Sequence, residues 1–215
     1  MGFGAVIFDM DGVLVDSEPY HIEAYQRVLA KFGINFQKSD YKRILGKTAL
    51  EIFTELFQRN GVQENPQEWA ERKEATYREV IEKQLQPTKE LIPLLDELLV
   101  NRTKLGVATS APRKNLEAVL RCTKLERYFQ STLGLEDITH PKPNPEIYLK
   151  SATRLGIPIS QCAVIEDSVI GLESARAAGV FAIGITTSFP AGLLTPANII
   201  FDSFSQICSF LIGKN

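Results

Sequence analysis

The chain has 215 residues, 44% of them hydrophobic and 23% charged, with a formal net charge of −2. This balance excludes a fibre and a disordered tail, and no apolar run approaches the ~20 residues of a membrane span. It also leaves no overall basic field for nucleic acid, so a small anionic ligand has to be attracted by local groups.

The first element expected is a strand, Ala5–Phe8, a short apolar run broken at its C-terminal end by Asp9 and Asp11. Ligands of an open parallel sheet bind beyond the carboxyl ends of its strands, which places both carboxylates at the functional end. Two acids this close repel each other, and beside an apolar strand they are costly to desolvate unless a cation or hydrogen-bond donors compensate them. The pair therefore predicts a metal, and an oxygen-rich site suits Mg²⁺, which takes one or two carboxylates and shares its other positions with water and a substrate phosphate. A calcium loop of the EF-hand kind fits poorly, because Gly12 stands fourth from Asp9 where that loop needs a sixth-position glycine, and a strand precedes it.

Residues 17–84 are dense in Glu, Lys, Arg, Gln, Tyr and Phe at helical spacing and contain no convincing strand. They are too long for a simple crossover and read as an inserted helical domain, leaving 1–16 and 85–215 as the core. Pro87 interrupts helix where the chain returns. From Lys104 onward, strand candidates at 105–109, 131–135, 163–165 and Phe181–Ile185 alternate with amphipathic stretches at about 115–122, Glu146–Leu155 and 171–178, the last closed by Gly179. Right-handed crossovers bring these strands into one doubly wound parallel sheet, an α/β core with helices on both faces.

Chemistry-bearing residues fall at the strand ends. Thr109 and Ser110 lead into Pro112 at a helix start, where a hydroxyl and free backbone N–H groups make a phosphate cradle or, more blandly, a helix N-cap. Lys142 alternates with prolines in His140-Pro141-Lys142-Pro143-Asn144-Pro145, which denies it a helix and holds its backbone extended, so that its ammonium can be aimed. Glu166 and Asp167 end the next apolar strand and complete a cation site with Asp9 and Asp11, with Ser168 free to cap the following helix. The three cysteines, Cys122, Cys162 and Cys208, are widely spaced within apolar patterns, which points to reduced thiols and a cytoplasmic protein.

Taken in order, Phe8-Asp9-Met10-Asp11-Gly12-Val13-Leu14-Val15-Asp16-Ser17, Thr109-Ser110, Lys142-Pro143 and Glu166-Asp167-Ser168 resemble the four motifs of the haloacid dehalogenase (HAD) superfamily. Within it the chain resembles the branch of β-phosphoglucomutase-like enzymes and small sugar-phosphate phosphatases, which carry a helical cap between the first and second motifs. The resemblance implies a Rossmann-like core, Mg²⁺ as cofactor, Asp9 as the nucleophile that forms an aspartyl-phosphate and Asp11 as general acid and base. It implies that Thr109, Ser110 and Lys142 bind the phosphoryl oxygens. Mg²⁺ would be held by Asp9, the backbone carbonyl of Asp11 and Asp167, with Glu166 beside or within its shell.

Cap residues select the substrate, and His21, Gly46, Lys47, Thr48 and Lys73 are the candidates here. The mutase carries an arginine just beyond the cap loop to grip a second phosphate, whereas this chain has Ala49. The expectation is a monomeric Mg²⁺-dependent phosphatase acting on a small phosphorylated metabolite, a sugar phosphate, with no nucleic-acid or membrane partner. A β-phosphoglucomutase is the alternative, and a non-catalytic phosphate-binding module a remote one.

Overall fold

The computed structural model describes residues 2–44 and 47–213. The chain divides into two compact units: one built from the segments up to Asp16 and from Gln86 onward, the other from Ser17–Leu85. Strands β1 (Ala5–Phe8), β2 (Lys104–Ala108), β3 (Ser131–Leu133), β4 (Cys162–Glu166), β5 (Phe181–Ile185) and β6 (Ile199–Phe201) belong to the first. Helices α1 (Glu18–Leu29), α2 (Lys38–Ile44), α3 (Ala49–Asn60) and α4 (Pro66–Ile81) belong to the second, and α5 (Leu91–Val100), α6 (Arg113–Thr123), α7 (Glu146–Leu155), α8 (Val169–Ala177) and α9 (Phe204–Ile212) to the first.

The sheet runs β3-β2-β1-β4-β5-β6 with every pairing parallel, so the first unit is the expected Rossmann-like α/β core. In register, Ile7 lies between Gly106 of β2 and Val164 of β4. The strand order reverses at β1 and β4, and this switch point is where an open α/β sheet holds its ligand. Every residue of β1 is buried, which is why its sequence is an unbroken apolar run rather than an alternation. Ala5, Ile7, Ala108, Cys162, Val164 and Ala182 pack with Ile147, Tyr148 and Leu155 of α7 and Leu172 and Ala175 of α8. The alternate residues Val6, Phe8, Leu105, Val107 and Ile165 point to the opposite face and are buried too.

Two elements depart from the sequence pattern. Strand β6 has three half-buried residues at the sheet edge, too few to show a period. Helix α5, LIPLLDELLV, is apolar almost all round, so no stripe marks it as a helix. At its C-terminal end β3 stops at Leu133, two residues earlier than expected, because the chain turns at Gly134 into a short 3₁₀ segment, Leu135–Asp137.

The second unit is an aromatic-cored helical bundle. Tyr25, Phe36, Phe53, Phe57 and Trp69 share one buried cluster with Leu29 and Ile52. Tyr25 and Phe36 stack at 4.8 Å, and Phe32 meets Phe57 and Trp69 edge-on. Thr48 and Glu51 form a reciprocal capping box that starts α3, and Asn65 caps α4 ahead of Pro66. The three cysteines are free thiols.

Candidate active site

Asp9 follows β1 directly, and its N–H donates to the Ile165 carbonyl at 3.0 Å, so the carboxylate is tied to the switch point by the ladder itself. The chain then turns sharply: Leu14 N–H returns to the Met10 carbonyl and Gly12 N–H to the Val15 carbonyl, both at 2.8 Å. Gly12 has φ +77° and a Cβ there would collide with the Asp167 carboxylate, so the turn requires glycine on both counts.

On the neighbouring strand, β4 ends in Glu166, and Asp167 follows it. Asp9, Glu166 and Asp167 are all buried and each offers an oxygen within 4.8 Å of the others. Lys142 enters this cluster with its side chain 5% exposed. Its ammonium donates to Asp9 Oδ1 at 2.6 Å, Glu166 Oε1 at 2.6 Å and the Ala108 carbonyl at 3.0 Å, one acceptor for each proton. It also lies 4.9 Å from the centre of the Tyr148 ring.

Both oxygens of Glu166 are engaged. Oε1 accepts Lys142 and the Tyr148 hydroxyl at 2.8 Å; Oε2 accepts the N–H groups of Asp167 and Ser168 and the Ser168 hydroxyl. Ser168 in turn accepts Gly171 N–H at the start of α8, as an N-cap should. A Cβ on Gly171 would collide with the Glu166 carboxylate, so the helix approaches that close only because it carries no side chain there. Glu166 therefore organises the cluster, and the acids with ligand capacity to spare are Asp9 and Asp167.

The electrostatics show a deficit of positive charge. Burial pushes the Asp9 carboxyl up, the Lys142 ammonium pulls it down and Glu166 and Asp11 push it up again, leaving it at about 7. Burial, with Glu166 and Asp9 beside it, also holds Asp167 well above the carboxylate range. For Lys142, burial favours the neutral amine, but Asp9 and Glu166 outweigh it and hold the ammonium well above its ordinary value. The Lys142 ammonium is given to Asp9 and Glu166, and with Asp167 beside them the three buried carboxylates form an all-oxygen donor set that fits a hard cation such as Mg²⁺.

Thr109 sits just past β2, fully buried, its N–H on the Leu133 carbonyl and its hydroxyl accepting Ala111 N–H at 3.1 Å; Ser110 beside it is exposed. The α6 N-terminus is a smaller cradle than its sequence suggests. Arg113 N–H is already taken by Glu136 Oε2 at 2.7 Å, and Glu136 lies 23 residues away.

In the second unit, Lys73 is 3% exposed, with its ammonium 3.0 Å from His21 Nδ1, 3.0 Å from Glu74 Oε1 and 4.7 Å from the centre of the Tyr25 ring. His21 stacks on Tyr77 at 3.9 Å. Lys47 pairs with Glu55 at 2.5 Å and Thr48 is spent as the α3 cap. Gly46 lies outside the described residues.

Sequence reasoning missed Tyr148, which reads as one more apolar position on a helix face, and the hydroxyl run Thr186-Thr187-Ser188 after β5. Thr187 Oγ1 donates to the Gly12 carbonyl at 2.5 Å, and Ser188 Oγ lies beside the Asp167 carboxylate, these two groups crowding the space a Gly12 Cβ would take. Three consecutive hydroxyls at a strand end were the available signal.

The protein-family model of haloacid dehalogenase-like hydrolases matches residues 6–185. A phosphorylated carbohydrates phosphatase of Thermotoga maritima is 34% identical over 82% of this chain and 82% of its own length. A β-phosphoglucomutase of Bacillus subtilis is 30% identical over 86% of this chain and 84% of its own. Among solved structures, a HAD hydrolase from Entamoeba histolytica superposes with a TM-score of 0.86 at 26% identity, covering 100% of both chains.

Proposed function

The chain belongs to the haloacid dehalogenase-like hydrolase family, and within it we propose a Mg²⁺-dependent phosphatase that hydrolyses a small phosphorylated metabolite, a sugar phosphate, through an aspartyl-phosphate. The observation that carries the reading is the Lys142 ammonium seated on Asp9 and Glu166 at the switch point of the sheet.

Asp9 attacks the phosphorus: its carboxylate oxygen forms the new O–P bond as the bond to the ester oxygen breaks. Asp11 gives its proton to the departing alkoxide, and then removes one from the water that attacks the aspartyl-phosphate and restores the Asp9 carboxylate. Two carboxyls one residue apart can divide these roles because their surroundings differ. Lys142 and the Thr109 hydroxyl, with Ser110 beside it, donate to the phosphoryl oxygens, where preorganised donors stabilise the charge that develops in transfer. Asp9, Asp167 and the Asp11 carbonyl would hold Mg²⁺, which when bound offsets the negative charge of phosphate and nucleophile. Glu166 keeps Lys142 aimed and Ser168 in its capping position.

The residues described in the second unit favour hydrolysis over mutase chemistry. A mutase must grip a second phosphate as firmly as the reacting one, to keep water from the aspartyl-phosphate until a sugar hydroxyl arrives. Here Ala49 stands where the mutase's arginine is expected, Lys47 is paired with Glu55, and Lys73 is engaged with His21 and Glu74. A screen of phosphorylated sugars for Mg²⁺-dependent phosphate release tests the reading. β-Glucose 1-phosphate with a trace of glucose 1,6-bisphosphate should release phosphate or stay unreacted, and efficient accumulation of glucose 6-phosphate would overturn it.

A further inference from the structure

Beyond β5 the chain presents three successive hydroxyls, and each is spent on the end of a different strand. Thr186 Oγ1 donates to Asp202 Oδ1 at 2.7 Å, past β6, while its N–H holds the Phe201 carbonyl at 3.1 Å. Thr187 Oγ1 donates to the Gly12 carbonyl at 2.5 Å, in the turn past β1. Ser188 stands beside Asp167, past β4: its Oγ would lie 2.6 Å, and Asp167 Oδ2 1.8 Å, from a Cβ placed on Gly12. The first contact anchors the turn to the sheet edge, and the other two fall beside the groups assigned above to the cation, one on the Gly12 carbonyl next to that of Asp11 and one at Asp167.

The geometry points to Thr187 and Ser188 as positioning residues of the metal site, an inference that rests on the Mg²⁺-phosphatase reading. A carboxylate that ligates a cation can still swing about its own bond, and a donor on it fixes its plane; partners of this kind are as much part of a metal site as the ligands. Ser188, whose hydroxyl stands beside Asp167, is placed to supply that donor. The peptide that carries the Asp11 carbonyl is held on its nitrogen side, where Gly12 N–H donates to Val15, and Thr187 holds the next carbonyl along. Because peptides are planar, fixing both neighbours of the Gly12 Cα fixes the direction in which the Asp11 carbonyl looks. Thr187 and Ser188 are both exposed, so packing does not account for their placement.

The test is Mg²⁺ binding by isothermal titration calorimetry to the full chain and its variants, with hydrolysis of p-nitrophenyl phosphate against Mg²⁺ concentration as a second readout. Ser188→Ala and Thr187→Val are each expected to weaken Mg²⁺ binding by ~10–100-fold, the usual cost of removing such a partner. At saturating Mg²⁺ their kcat should return to within about threefold of wild type, since neither hydroxyl is assigned to the reacting atoms. Ser188→Thr, which keeps the hydroxyl, should restore affinity. Thr186→Val, on the same turn but bonded to Asp202, should leave it unchanged. Wild-type affinity in folded Ser188→Ala and Thr187→Val overturns the assignment, and so does an equal loss in Thr186→Val, which would give the effect to the turn as a whole. If the wild-type protein itself binds no Mg²⁺, the reading of the site falls first and takes this inference with it.

Discussion

Lys142 Nζ lies 2.6 Å from Asp9 Oδ1, across 133 residues of chain. The contact joins the loop before α7 to the end of β1, and it sets a buried ammonium against a buried carboxylate whose burial would otherwise favour its neutral form. Breaking such a pair from one side leaves an uncompensated charge in the interior.

Lys142→Ala should therefore act on both stability and rate. Loss of the ammonium strands Asp9 and Glu166 together, with an expected cost of about 3–5 kcal/mol in the metal-free protein, measured by denaturant unfolding. Turnover of an aryl phosphate should fall by ~10²–10³, the usual worth of one preorganised donor to a developing charge. Wild-type turnover in the folded variant would remove Lys142 from the phosphoryl site.

The two aspartates after β1 should separate by role. Asp9→Asn is expected to abolish turnover while leaving the fold intact, since it replaces a carboxyl already pushed towards neutrality with a neutral group of the same shape. Asp11→Asn should slow turnover by ~10²–10⁴, the range of a general acid or base, with a smaller effect on Mg²⁺ affinity because its backbone carbonyl is retained. Loss of metal binding with intact chemistry in Asp11→Asn would show the roles to be reversed.

Adding Mg²⁺ should raise the melting temperature and EDTA should reverse the rise. At a hundred times its Kd a ligand that binds only the folded state adds ~2.7 kcal/mol. Asp167→Asn should abolish most of this shift, and a wild-type-sized shift in that variant would remove Asp167 from the ligand set.

Glu146 gives a pH signature. Its carboxylate accepts Lys150 Nζ at 2.6 Å, Thr139 N–H and His140 N–H, and these hydrogen bonds lower its pKa from an ordinary 4.5 to about 2. A carboxyl depressed in the folded state binds fewer protons there than in the unfolded chain, so its stabilisation is complete above about 4.5 and is lost as pH falls through about 2. Acid unfolding of Glu146→Gln should be shallower across that window than wild type, with lower stability at neutral pH. Parallel curves would mean that these contacts do not stabilise the fold.

The core was legible because its strands are buried on both faces: Ala5–Phe8 is an uninterrupted apolar run, and Asp9 is conspicuous at its end. Strand β6 and helix α5 lack the features that periodicity can detect, one being too short and the other too uniformly apolar. Lys142 stood out through its prolines, but nothing local could say that its ammonium meets Asp9 and Glu166. The same holds for Glu136, which fills part of the α6 N-terminus from 23 residues away. Thr187 and Ser188 carry no local mark of their partners, since a hydroxyl's partner is chosen by the sheet that brings two strand ends together.

Gly171 does more than let α8 approach β4. The Glu166 carboxylate occupies the volume a methyl group would take, and five donors keep it from stepping aside. The spacing between a helix layer and a sheet layer thus acts as a gauge for an ammonium, because Lys142 is aligned on the same oxygen that the missing side chain leaves undisturbed. A single added methyl would be felt beyond Glu166 as a misdirected charge, because the oxygen it displaces is the one on which the Lys142 ammonium rests.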